Sequence, residues 1–88
     1  MEIVAGSLVY SAAGRDKDRA FLVLSVEGNM CTIADGKLRK CDNPKKKKMK
    51  HLTGSCKVSS ELQEKLSKGE TPTNSEIRKF LKLISEEA

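Results

Sequence analysis

The chain's 88 residues, 38% hydrophobic and 33% charged with one Tyr, two Phe and no Trp, can build one aliphatic core under a strongly solvated surface, without room for a deep substrate cleft and a cofactor site together. No apolar run approaches the roughly 20 residues of a membrane span, and Met1-Glu2-Ile3 lacks the basic start and long apolar stretch of a signal peptide, so a cytoplasmic binding module is expected rather than an enzyme or a membrane protein. The formal net charge of +5 is uneven, with twelve Lys and Arg against six Asp and Glu in residues 1–57 and five against six in residues 58–88, which places the footprint for a polyanion on the first part.

Taken in chain order, Ile3 to Ala5 reads as the start of a strand, and Gly6 marks a bulge or bend before Leu8-Val9-Tyr10. The stretch from Gly6 to Val26 is a hairpin: two apolar β-rich runs flank a polar tip, Gly14-Arg15-Asp16-Lys17-Asp18-Arg19, that presents three cations from a rigid base. In the second run, Phe21 and Val23 point one way and Leu22, Leu24 and Val26 the other, so both faces need cover. One face lines a small barrel; the other is left for the C-terminal helices.

Glu27-Gly28-Asn29 is a turn, Met30 to Ala34 a third strand, and Asp35-Gly36 a two-residue hairpin signal that sends Lys37 to Cys41 back as a fourth strand. After Asp42-Asn43-Pro44 come Lys45-Lys46-Lys47-Lys48-Met49-Lys50-His51-Leu52, whose four consecutive lysines repel one another unless exposed or set against anions, with Met49 and Leu52 anchoring the end. Taken alone, such a run is usually a solvated loop. Beyond Thr53-Gly54-Ser55 the period becomes helical. Ser60-Glu61-Leu62-Gln63 reads as a capping box, Val58, Leu62 and Leu66 recur at helical spacing, and Gly69 stops the helix ahead of Pro72. A second box, Thr73-Asn74-Ser75-Glu76, opens a longer helix with Ile77, Phe80, Leu81 and Ile84 on one stripe. Core packing accounts for that stripe, with a dimer interface as the alternative and a monomer preferred.

Cys31, Cys41 and Cys56 are odd in number and lack C-x-x-C spacing, so neither a disulfide framework nor a zinc site is expected. Cys31 reads as a small core residue and the other two as free thiols. His51 is the only histidine and stands among lysines with no carboxylate or serine close in sequence. No catalytic residue, metal site or cofactor is therefore assigned.

The hairpin V-Y-S-A-A-G-R-D-K-D-R, with its one glycine at Gly14, resembles a KOW motif. The later A-D-G-K-L-R-K-C-D-N-P-K-K-K-K-M-K-H-L is similar to the strand-turn-basic-strand ending of KOW-containing large-subunit ribosomal proteins of archaea and eukaryotes, and of small bacterial KOW-domain RNA-binding proteins. Asp18 stands where related sequences commonly carry a second glycine. The resemblance covers most of the chain. It implies an RNA-binding module associated with ribosomal RNA, with ribosomal proteins as further partners, and it makes Lys50-His51-Leu52 part of the last strand of the barrel, with His51 packed or facing RNA.

The expected architecture is thus mostly β, a small SH3-like barrel over residues 1–57 with the helices of residues 58–88 packed outside it. The expected RNA-binding residues are Gly14, Arg15, Lys17 and Arg19 in the hairpin tip, Lys37, Arg39 and Lys40, then Lys45, Lys46, Lys47, Lys48, Lys50 and His51. Too few aromatics are present for an aromatic-lined peptide groove or for reading single-stranded bases by stacking. Contact with phosphates and shape on structured RNA is the reading that Lys and Arg can carry. An acidic protein partner meeting the same basic face, as in an assembly adapter, is the alternative.

Overall fold

The computed structural model describes residues 3–12, 14, 17 and 19–87. Five strands, β1 (Ser7–Ser11), β2 (Ala20–Glu27), β3 (Met30–Ala34), β4 (Lys45–Lys48) and β5 (Leu52–Val58), form one antiparallel sheet in the order β4-β3-β2-β1-β5. The edge strands β4 and β5 are nonetheless joined by a single 3-10 turn, Met49–His51. Edges of a flat five-stranded sheet stand about 19 Å apart, whereas four residue steps reach at most about 14 Å. The sheet must curl to bring its two edges toward one another, as in a small SH3-like barrel. The Met49 amide donates to the Asn29 carbonyl at one edge and Ala12 to that of His51 at the other, at 2.7 and 2.8 Å.

The barrel interior is aliphatic with one ring: Ile3, Val9, Phe21, Val23, Cys31, Ile33 and Leu52 are buried together, and Val26 and Met49 pack against them. Outside it, Leu22 and Ala34 meet Leu62 of α1 (Ser60–Ser67) and Ile77 of α2 (Asn74–Glu87), flanked by Leu24, Cys41, Phe80 and Leu81. Opposite faces of β2 therefore serve two cores, as the alternation of residues 21 to 24 requires. Burial of Leu22, Leu62 and Ile77 stabilises by about 1.5–3 kcal/mol each before entropy is counted, which holds the helices on the outer face.

Several expectations are corrected. Val26 sides with the barrel interior rather than with Leu22 and Leu24, because the register of β2 against β3 shifts between Val23 and Ser25 and one extra residue reverses the alternation. Residues 3–5 precede the first strand instead of starting it. The Ser7 amide turns back to the Val4 carbonyl at 3.2 Å, and the expected bend appears as a register shift between Ser7 and Val9.

Lys37 to Cys41 is a loop and the lysine run is the fourth strand. The loop closes on Asp35: its Oδ1 accepts from the amides of Lys37 and Arg39, both at 2.9 Å, and the Arg39 carbonyl accepts from the amides of Asp35 and Gly36. With those donors used, no ladder can form there. The open edge of β3 pairs instead with Lys45–Lys48, where Lys48, Lys47, Lys46 and Lys45 stand opposite Met30, Cys31, Thr32 and Ile33.

Leu52 alone of Lys50-His51-Leu52 lies in β5, the other two forming the 3-10 turn. Val58 ends β5 half-exposed, so it is not part of the helix stripe. The N-cap of α1 is Ser59, one residue earlier than expected, with its Oγ accepting from the Leu62 amide at 3.2 Å. At its end, Gly69 and Glu70 return their amides to the carbonyls of Leu66 and Lys65. The second capping box forms as read: the Glu76 amide donates to Thr73 Oγ1 and the Thr73 amide to Glu76 Oε1, at 3.1 and 3.0 Å. Of the α2 stripe only Ile77 is fully buried, with Phe80, Leu81 and Ile84 half-buried.

Candidate nucleic-acid interface

A cleft of about 740 Å³ opens where the base of the β1–β2 hairpin, the loop after β3 and the side of α2 come together. Arg19, Lys37, Arg78, Lys79 and Lys82 line it beside Asp35, the one carboxylate among the described lining residues, with Ala20 and Leu81 supplying apolar wall. The carboxylate is turned inward. Asp35 is 5% exposed, its Oδ1 holds the two loop amides, and its Oδ2 accepts from Arg19 Nη2 at 2.6 Å. The Arg19 guanidinium also lies over the Phe21 ring, 5.8 Å from its centre, so a cation–π contact adds to the ion pair in fixing the head of this side chain.

The loop is fixed to α2 at three points. Arg78 Nη1 donates to the Gly36 carbonyl at 2.6 Å, and Asn74 Oδ1 accepts from the Cys41 amide at 2.8 Å. Gly36 has φ +77° and sits so close to α2 that a Cβ there would lie 2.6 Å from the Asn74 carbonyl oxygen. Glycine is required on both counts. The cations of loop and helix are thus held in one frame.

The residues expected from sequence fall into separate places. Arg15 lies outside the described residues. Gly14, with φ +80° and its carbonyl accepting from the Lys17 amide at 3.2 Å, and Lys17 are exposed in the hairpin tip. Arg19 and Lys37 meet in the cleft; Lys40 is exposed and Arg39 half-buried in the loop beside it. The lysine run divides by strand alternation. Lys45 and Lys47 are half-buried on the side of Ile33 and Cys31, where Lys47 Nζ reaches Ser11 Oγ at 2.5 Å, while Lys46 and Lys48 are exposed. Lys48 pairs at the Met30 end, so the run leads away from the loop over about 10 Å of strand. On an edge strand such lysines also discourage pairing with another chain's edge. Lys50 is exposed, and His51 is half-buried with its carbonyl bonded to Ala12.

Arg78, Lys79 and Lys82 were not among the residues expected. Their signal is the helical period itself: Arg78 and Lys82 stand one position after Ile77 and Leu81, so a helix buried along the latter pair carries the former along the border of its contact. The net charge of −1 over residues 58–88 conceals them.

Among the described residues, no group of three or more His, Cys, Asp or Glu is placed to hold a metal ion, and no helix is long and apolar enough to cross a membrane. Cys31 is buried among apolar side chains, which pushes its thiol pKa up and keeps it protonated; Cys41 is a free, half-buried thiol, and the Cys56 side chain lies outside the described set. No protein-family model matches the chain, and no curated protein matches it.

Proposed function

We propose that this protein is an RNA-binding module of the KOW type that contacts structured RNA through phosphates and shape, with ribosomal RNA as its target in the cytoplasm. The observation that carries the reading is the convergence of Arg19, Lys37, Arg78, Lys79 and Lys82 on one cleft in which Asp35, the one carboxylate among the described lining residues, is engaged internally. Charge of that density on rigid elements suits a ligand that offers several phosphates at fixed spacing. The aromatic side chains favour phosphate contact over base stacking: Phe21 is buried, Phe80 half-buried, and Tyr10 is 37% exposed on β1, outside the cleft lining. The ribosomal part of the proposal rests on the resemblance of G-R-D, D-G-K-L-R-K and K-H-L, in that order, to KOW-domain proteins.

Cross-linking in cells followed by sequencing of the attached RNA tests it. Enrichment of ribosomal RNA fragments is the expected result. Complexes that survive nuclease treatment and carry no RNA would point to an acidic protein partner instead.

A further inference from the structure

Among the described residues Leu38 is the most exposed of the large apolar side chains that reach the surface, at 73%, and it stands in a loop between Lys37 and Arg39 with Lys40 following. Exposed leucines are common on proteins and by themselves ask for no function. The backbone around this one is held unusually firmly. Both neighbouring amides, of Lys37 and Arg39, donate to the buried Asp35 carboxylate, the Arg39 carbonyl ties back to Asp35 and Gly36, and Arg78 fastens Gly36 to α2. A slack loop would let the side chain fold back onto apolar surface, whereas this one presents it outward between cations.

We infer that Leu38 is an apolar contact for an unstacked base, so that the loop favours bulged or looped RNA over uniform duplex; this rests on the RNA-binding reading above. The chemistry of the surroundings selects the occupant. An apolar protein surface approaching Leu38 would strip water from Lys37 and Lys40 without return, whereas RNA offers phosphates to the cations and, where a base has left its stack, an apolar ring face to the leucine. In a uniform A-form duplex the ring faces are covered by their neighbours and the major groove is too narrow to admit side chains. There Leu38 finds only backbone and contributes little. The same loop thus divides its work: Lys37, Arg39 and Lys40 supply affinity that any RNA receives, and Leu38 supplies a preference for irregular sites.

The test compares a hairpin RNA carrying a single-nucleotide bulge with a perfectly paired duplex of the same length, using the wild-type chain, Leu38→Ala and Leu38→Met. Leu38→Ala should weaken binding to the bulged RNA by about 5–10-fold, the effect of losing an aliphatic side chain covered over roughly half its surface, and change duplex binding by less than about 2-fold, with the salt dependence unaltered on both. Leu38→Met keeps an apolar arm of similar reach and should retain the preference. Equal affinity of wild type and Leu38→Ala for the bulged RNA, or an equal loss on both RNAs, overturns the inference while RNA binding stands. A wild-type chain that binds neither RNA overturns the RNA-binding reading and the inference with it.

Discussion

Asp35 organises the cleft, since one buried carboxylate shapes the loop and orients Arg19. Asp35→Ala leaves two loop amides without their acceptor and should destabilise the fold by about 2–3 kcal/mol, the ion-pair share being modest because Arg19 is partly exposed. Asp35→Asn keeps an oxygen for the amides and should cost less; urea denaturation of both variants checks the order. Two glycines form a second comparison. Both have positive φ, but a Cβ at Gly14 meets nothing within 4 Å while one at Gly36 collides with the Asn74 carbonyl. Gly14→Ala is expected to lower stability by about 1–2 kcal/mol from backbone conformation alone, and Gly36→Ala by distinctly more, as thermal melting would register. Sequence showed Asp35-Gly36 as a turn but not its use, because the residue that pairs with Asp35 is sixteen positions earlier and the helix that presses on Gly36 begins at Asn74.

At the scale of elements, the two helices are tied by Lys65, whose Nζ donates to both oxygens of Glu76 at 2.8 and 2.7 Å. The bond to Lys65, and then that from the Thr73 amide, hold the Glu76 carboxyl below the usual glutamate value; the bond to Glu76 raises Lys65 above the usual lysine value. A lowered carboxyl contributes stability that is present above its unfolded pKa and lost as pH falls through the folded one, and the raised lysine contributes stability lost only as pH climbs past its own raised value. Glu76→Gln should therefore flatten the acid limb of a melting-temperature profile from about pH 5 downward. In the packing between helix and sheet, Ile77→Ala should cost about 2–5 kcal/mol, and Phe80→Ala less, its ring being only half-buried; denaturation of both variants checks this. Periodicity was enough to find both helices and the two-sided β2. It did not find β4, because a run of lysines has low strand propensity and pairs only because β3 leaves an edge open. The bulge in β2 has no glycine to mark it, and so Val26 was placed on the wrong face.

For the molecule as a whole, counting charge along the chain assigns the basic surface to residues 1–57, whereas folding brings Arg78, Lys79 and Lys82 of the acidic half beside Arg19 and Lys37. Part of the candidate site was therefore legible, and part exists only once α2 has docked. The lysine run dominates the sequence, yet two of its four side chains lean toward the barrel and none lines the cleft. The most direct test of the central claim is the salt dependence of RNA binding, measured for the wild-type chain and for Lys37→Gln, Lys79→Gln and Lys82→Gln combined. With about five cations releasing counterions, log K should fall against log salt with a slope of roughly −3.5 to −4.5, and the triple variant should be shallower by about 2–3. Binding indifferent to salt, or a slope that the three substitutions leave unchanged, would contradict the assignment of this cleft to RNA.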